Sequence, residues 1–314
     1  EVEMEAGDVL VHDDMIVHTV ASDMPHFILV HSDTEHAHGG AEEWAPADGA
    51  ERIRLVHVGS VAQYGDRLPP CHMIRTGDPM QPSVFDFYAT TKIRGERAVI
   101  ESGIRHWVSL RQTFITIPSF MTDLLDPIYF HLPVNTALEM NTKYDAGRGL
   151  VNALEVRPDS DFWGRVYNMA GGPACRFSAL DYSRQMFTIA GAGDYRTLFE
   201  RRWFATRNFH CGWFADSQVL NGYLDFWRDD NAAHFGQVRQ YMTKLAADLE
   251  AAGTPVPTGD DFIRARFEQM VDSRTVELTA NDNTPYTLFW LDLRNGPLVL
   301  EVPPKVLGLI NDMW

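Results

Sequence analysis

The chain has 314 residues, with 43 acidic against 27 basic side chains and a formal charge of −16. That surplus repels phosphate backbones and anionic lipid surfaces, which makes nucleic acid and membrane poor partners. Composition is globular, 45% hydrophobic and 22% charged, and the length suits one large domain or two ordinary ones with a sizeable core.

Cys71, Cys175 and Cys211 are far apart and form no C-x-x-C pair, so neither a zinc knuckle nor a disulfide framework is expected. Reduced thiols point to a cytoplasmic protein. No run reaches the roughly eighteen apolar residues of a membrane span. The acidic start, Glu1 to Asp8, lacks the basic region of a signal peptide. It also lacks an initiating Met, which reads as a chain that begins inside a longer or processed product.

Residues 1–50 open with short strand-like runs, Val9–Val11 and Phe27–Val30, among many histidines: His12, His18, His26, His31, His36 and His38. Residues 34–50 have no apolar periodicity and read as a linker. Residues 51–272 alternate in character. Ile53–Val58, Trp107–Arg111 and Val166–Met169 read as strands, and Phe87–Ser102 as a helix. Ala232–Ala252 is a second helix, with Phe235, Val238, Tyr241, Met242, Leu245 and Leu249 at helical spacing. Such alternation predicts an α/β fold, a Rossmann-like parallel sheet with helices. Residues 273–314 turn β-rich again, with strand-like runs Tyr286–Leu293 and Leu298–Val302 around the turn Asn295-Gly296-Pro297. The predicted layout is therefore an α/β domain over 51–272 between two short β-rich segments.

The chemistry-bearing residues gather early in the α/β stretch. The first strand ends in Gly59-Ser60, and in open α/β sheets reactive groups collect beyond the carboxyl ends of strands. Tyr88 and Lys92 then stand four apart, so one helix face carries both. A phenol titrates near pH 10, too high for proton transfer at neutrality, and a neighbouring ammonium favours its phenolate. Tyr88 could then exchange a proton with a substrate hydroxyl or carbonyl while Ser60 holds that oxygen.

These residues carry a resemblance. V-H-V-G-S-V-A-Q-Y-G, Y-A-T-T-K and V-S-L-R-Q-T-F-I-T-I-P resemble segments of the extended short-chain dehydrogenase/reductase family, the NAD-dependent epimerase/dehydratase-like group. The likeness spans about Ile53 to Val271. It implies catalytic roles for Ser60, Tyr88 and Lys92, and NAD or NADP as cofactor. Lys92 and Tyr88 would meet the ribose, and Thr113 and Pro118 would lie beside the nicotinamide. R-V-Y-N-M-A-G-G and W-F-A-T-R-N-F-H-C-G-W-F-A-D-S resemble the substrate side of some members. A homo-oligomer is compatible with this reading. The family's G-x-x-G-x-x-G turn, which lets pyrophosphate approach the backbone at a helix N-terminus, does not precede Ser60 here.

The flanks resemble other families. Residues 5–31 contain the spacing of the second cupin motif, with Gly7 and His18 in place but Asp13 and Met15 where that family has Pro and Gly. One matched His does not make a metal site, and none is assigned. The end of the chain, from about 275, resembles a β-rich family of uncharacterised bacterial proteins in its N-D-N-T-x-Y, D-L-x-x-G-P and V-L-E-V-P elements. Asp282 and Asp292 there read as turn caps.

Three residues outside the trio draw structural expectations. Asp145 is expected to N-cap a helix, Arg176 to lie on the surface, and His210 to be a satisfied structural histidine. No G-x-S-x-G or H-E-x-x-H occurs, so hydrolase and zinc-protease readings have no motif behind them. The leading expectation is an NAD(P)-dependent oxidoreductase or epimerase. The alternatives are a non-catalytic, fragmentary or composite chain that lost the cofactor site, and a metal-dependent cupin-type enzyme.

Overall fold

The computed structural model describes residues 9–12, 15–18, 27–32, 54–84, 86–118, 130–191, 196 and 199–251. The expected linker at 34–50 and the expected strands beyond residue 273 lie outside the described residues.

A six-stranded sheet organises the molecule. Its strands are β1 (Val9–His12), β2 (Met15–His18), β3 (Phe27–Ser32), β4 (Arg54–Ser60), β6 (His106–Gln112) and β10 (Arg165–Met169), in spatial order β1-β2-β3-β4-β6-β10. The short strands β5 (Met73–Ile74), β7 (Ile115–Thr116) and β9 (Asn141–Thr142) pair outside it. From β3 to β10 all neighbours run parallel, with Leu55 beside Trp107 and Tyr167 beside Leu110. β1 and β2 add an antiparallel pair at the β3 edge. The parallel α/β core thus follows the sequence reading, while the histidine-rich N-terminal strands extend the same sheet. A cupin barrel is not among the described residues.

Side chains alternate across the sheet with period two, and the two faces differ in chemistry. One face carries Val56, Val108, Leu110, Tyr167 and Met169, packed on Ala153 of helix α2 (Lys143–Leu154) and on Leu220 and Leu224 of helix α4 (Ser217–Leu224). Burying each Val or Leu in such a cluster contributes about 1.5–3 kcal/mol. The opposite face packs Leu55 and Trp107 on Val99 of helix α1 (Phe87–Glu101). Here the period brings in polar residues instead: His57, Ser109 and Arg111 are all buried under α1.

A buried acid on α1 answers them. Glu96 accepts from Arg111 Nη2 at 2.6 Å, Arg111 Nε at 3.0 Å and Ser109 Oγ at 2.8 Å. The single Ser109 proton goes to Glu96, so His57 Nδ1, 2.9 Å from Ser109 Oγ, must be the donor there. Burial pushes the Glu96 carboxyl up, but the Arg111 hydrogen bonds and charge outweigh it and hold the group below the usual carboxylate range.

A second buried acid clasps the other half of the domain. Glu139, at the end of strand β8 (Ala137–Glu139), is fully buried and accepts from Arg176 Nε (2.7 Å), Gly172 N (3.1 Å), Phe214 N (2.9 Å) and Ser217 Oγ (2.7 Å). The expectation of a surface Arg176 is therefore corrected: its guanidinium is held inward because a buried carboxylate needs a cation and donors. Asp145 is corrected too. The N-cap of α2 is Thr142, whose Oγ1 accepts the Asp145 N–H at 3.2 Å. Asp145 sits within the first turn and accepts the backbone N–H groups of Arg228 and Asp229 at 2.9 and 3.0 Å.

The remaining helices complete the outer layer. Helix α3 (Ala179–Ile189) packs against α5 (Asn231–Ala251), burying Tyr182 and Met186 of the first and, as the spacing predicts, Phe235 and Val238 of the second. Among the described residues no helix is long and apolar enough to cross a membrane.

Candidate active site

The carboxyl ends of β4 and β6 and the start of α1 frame the site. Ser60 is the last residue of β4 and pairs in register with Gln112, the last of β6. It caps the 3₁₀ turn Val61–Tyr64, with Oγ accepting the Ala62 N–H at 3.1 Å. That leaves the hydroxyl proton of Ser60 to donate. Gln112 gives its amide N–H to Met169 Sδ at 2.7 Å, and its buried Oε1 has no hydrogen-bond partner among the described residues.

Helix α1 places the predicted pair one turn apart. Lys92 is almost fully buried, whereas Tyr88, at the helix start, is 41% exposed. The Lys92 ammonium lies 5.5 Å from the centroid of the Tyr88 ring. The helix begins here because Asp86 caps it, Oδ1 accepting the Ala89 N–H at 2.8 Å. Tyr64, which follows Ser60, is buried: its hydroxyl accepts from Arg111 Nη1 at 2.6 Å and donates to Asn168 Oδ1 at 2.7 Å. Burial pushes that phenol up to about 12, so Tyr64 is a strut and Tyr88 the accessible phenol.

Thr113 and Pro118 follow β6, with different exposures. The Thr113 hydroxyl is buried and donates to the Glu139 carbonyl at 2.8 Å, while Pro118 is half-buried.

Sequence reading overlooked a group that the fold adds. The second oxygen of Asp86 is 2.9 Å from His210 Nδ1, and the His210 ring stacks on Tyr88 with centroids 6.1 Å apart at 27°. Asp86 could have been found as a cap two residues before Tyr88. Its partner lies 124 residues away, and no local signal joins them.

The nicotinamide end of a dinucleotide would find suitable groups here. Lys92 and Tyr88 present an ammonium and a phenol, Ser60 a free proton, and Gln112 an unsatisfied acceptor. The neighbouring strand β3 ends at Ser32, and residues 33–53 lie outside the described residues. No pyrophosphate cradle is therefore described. Among the described residues no cluster of His, Cys, Asp or Glu could hold a metal ion. Cys175 and Cys211 are buried, which pushes both thiols up to about 12 and makes them poor nucleophiles. A cavity of about 410 Å³ between α3 and α5, lined by Phe177, Tyr182, Gln185 and Phe235, includes none of these site residues.

Comparison with known proteins gives limited likenesses. No curated protein matches the sequence. Residues 262–314 match the family model described as "Protein of unknown function (DUF1254)", in keeping with the C-terminal resemblance. Among solved structures, UDP-glucuronic acid 4-epimerase from Bacillus cereus in complex with NAD is 18% identical with a TM-score of 0.45, covering 61% of this chain and 62% of that one. The dTDP-glucose 4,6-dehydratase from Bacillus anthracis with NAD is 14% identical, TM-score 0.47, covering 62% and 63%. A short-chain dehydrogenase/reductase superfamily protein from Agrobacterium tumefaciens with bound NAD is 14% identical, TM-score 0.46, covering 65% and 71%. The chain thus spans about three fifths of the length of the first two.

Proposed function

We propose that residues 54–251 form an NAD(P)-dependent oxidoreductase or epimerase centre acting on a hydroxyl or carbonyl of a small molecule. The observation that carries this reading is the buried Lys92 ammonium lying 5.5 Å from the ring centroid of an accessible tyrosine on the same helix. Tyr88 is the acid/base: it takes the proton of a substrate hydroxyl, or returns one to a carbonyl oxygen. Lys92 favours the phenolate by its charge, which is screened little because the side chain is buried. Ser60 donates to the same substrate oxygen, and its orientation is fixed because its lone pair is engaged by Ala62 N–H. Lys92, Tyr88, Thr113 and Pro118 would hold a nicotinamide dinucleotide, which would supply the hydride acceptor or donor.

The test is thermal unfolding of the whole chain with millimolar NAD, NADP or neither. A ligand at a hundred times its dissociation constant stabilises the folded state by about 2.7 kcal/mol. No shift with either nucleotide would favour the alternative, a domain that keeps the proton-transfer residues without a cofactor. That alternative draws on the missing Gly-rich turn.

A further inference from the structure

The Asp86–His210 pair has no part in the mechanism above, yet it lies against the residue on which that mechanism turns. We propose that His210 is a positioning residue for Tyr88, and that Asp86, His210 and Tyr88 form one proton-linked unit at the start of α1. The proposal rests on the reading of Tyr88 as the acid/base and adds to it a second titrating group.

The Asp86 carboxylate is divided between two tasks. One oxygen caps α1 through the Ala89 N–H, and the other meets His210 Nδ1 at 2.9 Å. Burial pushes the Asp86 carboxyl up, but the His210 hydrogen bond and the Ala89 N–H outweigh it and hold it below the usual range. Asp86 is therefore an acceptor at neutral pH, and Nδ1 must carry the proton. Nε2 remains the open nitrogen of a ring that is 27% exposed and stacked on Tyr88.

The segment that brings His210 in is stitched down independently. Asn208, with φ of 76°, accepts the Val84 N–H at 2.8 Å and donates to the Val84 carbonyl at 2.9 Å. Its own N–H donates to Asp66 Oδ2 at 3.1 Å, and Asp66 pairs with His210 in a β-bridge. Phe209 stacks on the His210 ring with centroids 5.0 Å apart. The imidazole is thus fixed against Tyr88 rather than swinging in solvent.

Among the described residues, the titratable groups around this ring include Asp86 and the stacked Tyr88 from α1 and its cap, with Lys92 one turn along the helix from Tyr88. Asp66, from the loop after β4, pairs with His210 through the backbone. His131 comes from the segment before β8, and its charge also bears on Asp86. An imidazolium held by Asp86 beside the phenol favours the phenolate, so proton uptake at His210 and proton loss at Tyr88 are coupled.

The experiment is a pH titration of the full chain labelled with 13Cζ-tyrosine, the Tyr88 resonance being assigned by its loss in Tyr88→Phe. Wild type should show two inflections at Tyr88, its own and one at the pH where the His210 ring signals titrate. His210→Phe keeps a stacked ring without a proton and should lose the second inflection, and His210→Gln should lose it too. Asp86→Asn should move the His210 titration and the second inflection together. A single inflection in wild type, or a second one that survives in either His210 variant, overturns the proposal. A linked titration in a protein whose nicotinamide-dependent turnover is absent upholds the coupling and sinks the function assigned to Tyr88 alone.

Discussion

Acid should weaken this fold through one buried histidine whose contribution can be isolated. His234, on the first turn of α5, is fully buried, with Nε2 3.3 Å from the Tyr182 hydroxyl and its ring stacked on Tyr182 at 5.9 Å. Burial lowers its pKa to about 4, only partly opposed by the charge of Asp229. Unfolded, it would titrate near 6.5. The folded value is the depressed one, so the unfolded chain takes up the proton first as pH falls. The stability held by neutral His234 is complete above about pH 6.5, declines between 6.5 and 4, and is level below that. The full difference is about 3 kcal/mol, of which about 2 kcal/mol is lost between pH 7 and pH 5. His234→Gln keeps an acceptor for Tyr182 but cannot titrate. Urea unfolding of both proteins, followed by tryptophan fluorescence at pH 7, 6 and 5, gives the contrast. The wild-type advantage over the variant should shrink by about 2 kcal/mol across that range. Parallel pH profiles would refute the reasoning, because carboxylate effects are common to both proteins.

Three further outcomes are expected. Tyr88→Phe should abolish NAD(P)-linked turnover while its stability stays within about 0.5 kcal/mol of wild type, since the residue is 41% exposed and the ring that stacks on His210 is kept. Glu96→Gln leaves the Arg111 guanidinium buried and uncompensated, at a cost of about 3–5 kcal/mol by denaturant midpoint, and an apolar replacement of both partners should recover most of it. The same carboxyl, held below the usual range, contributes stability that is complete above about pH 4.3 and is lost as pH falls through its depressed folded value. Gly65→Ala places a Cβ 1.7 Å from the Gln81 carbonyl at a φ of +67°, so it should cost more than about 1 kcal/mol and loosen the turn behind Ser60 in hydrogen exchange.

The sequence by itself determined the α/β core and the placing of Ser60, Tyr88 and Lys92. Those features are written in local periods: two along β4 and β6, three and four along α1 and α5. A tyrosine and a lysine four apart on a helix share a face wherever that helix docks. The same local logic failed at Asp145, where Thr142 three residues earlier takes the cap, and at Arg176, whose partner Glu139 stands 37 residues before it. Polar residues under α1 were also illegible, because His57, Ser109 and Arg111 look like solvent-facing positions until Glu96 is laid across them. Only the tertiary structure brought His210 to Asp86 and Tyr88. A hydrogen bond and a ring stack have no period along the chain, and whether a histidine is a spectator or a partner depends on what the fold sets against its two nitrogens.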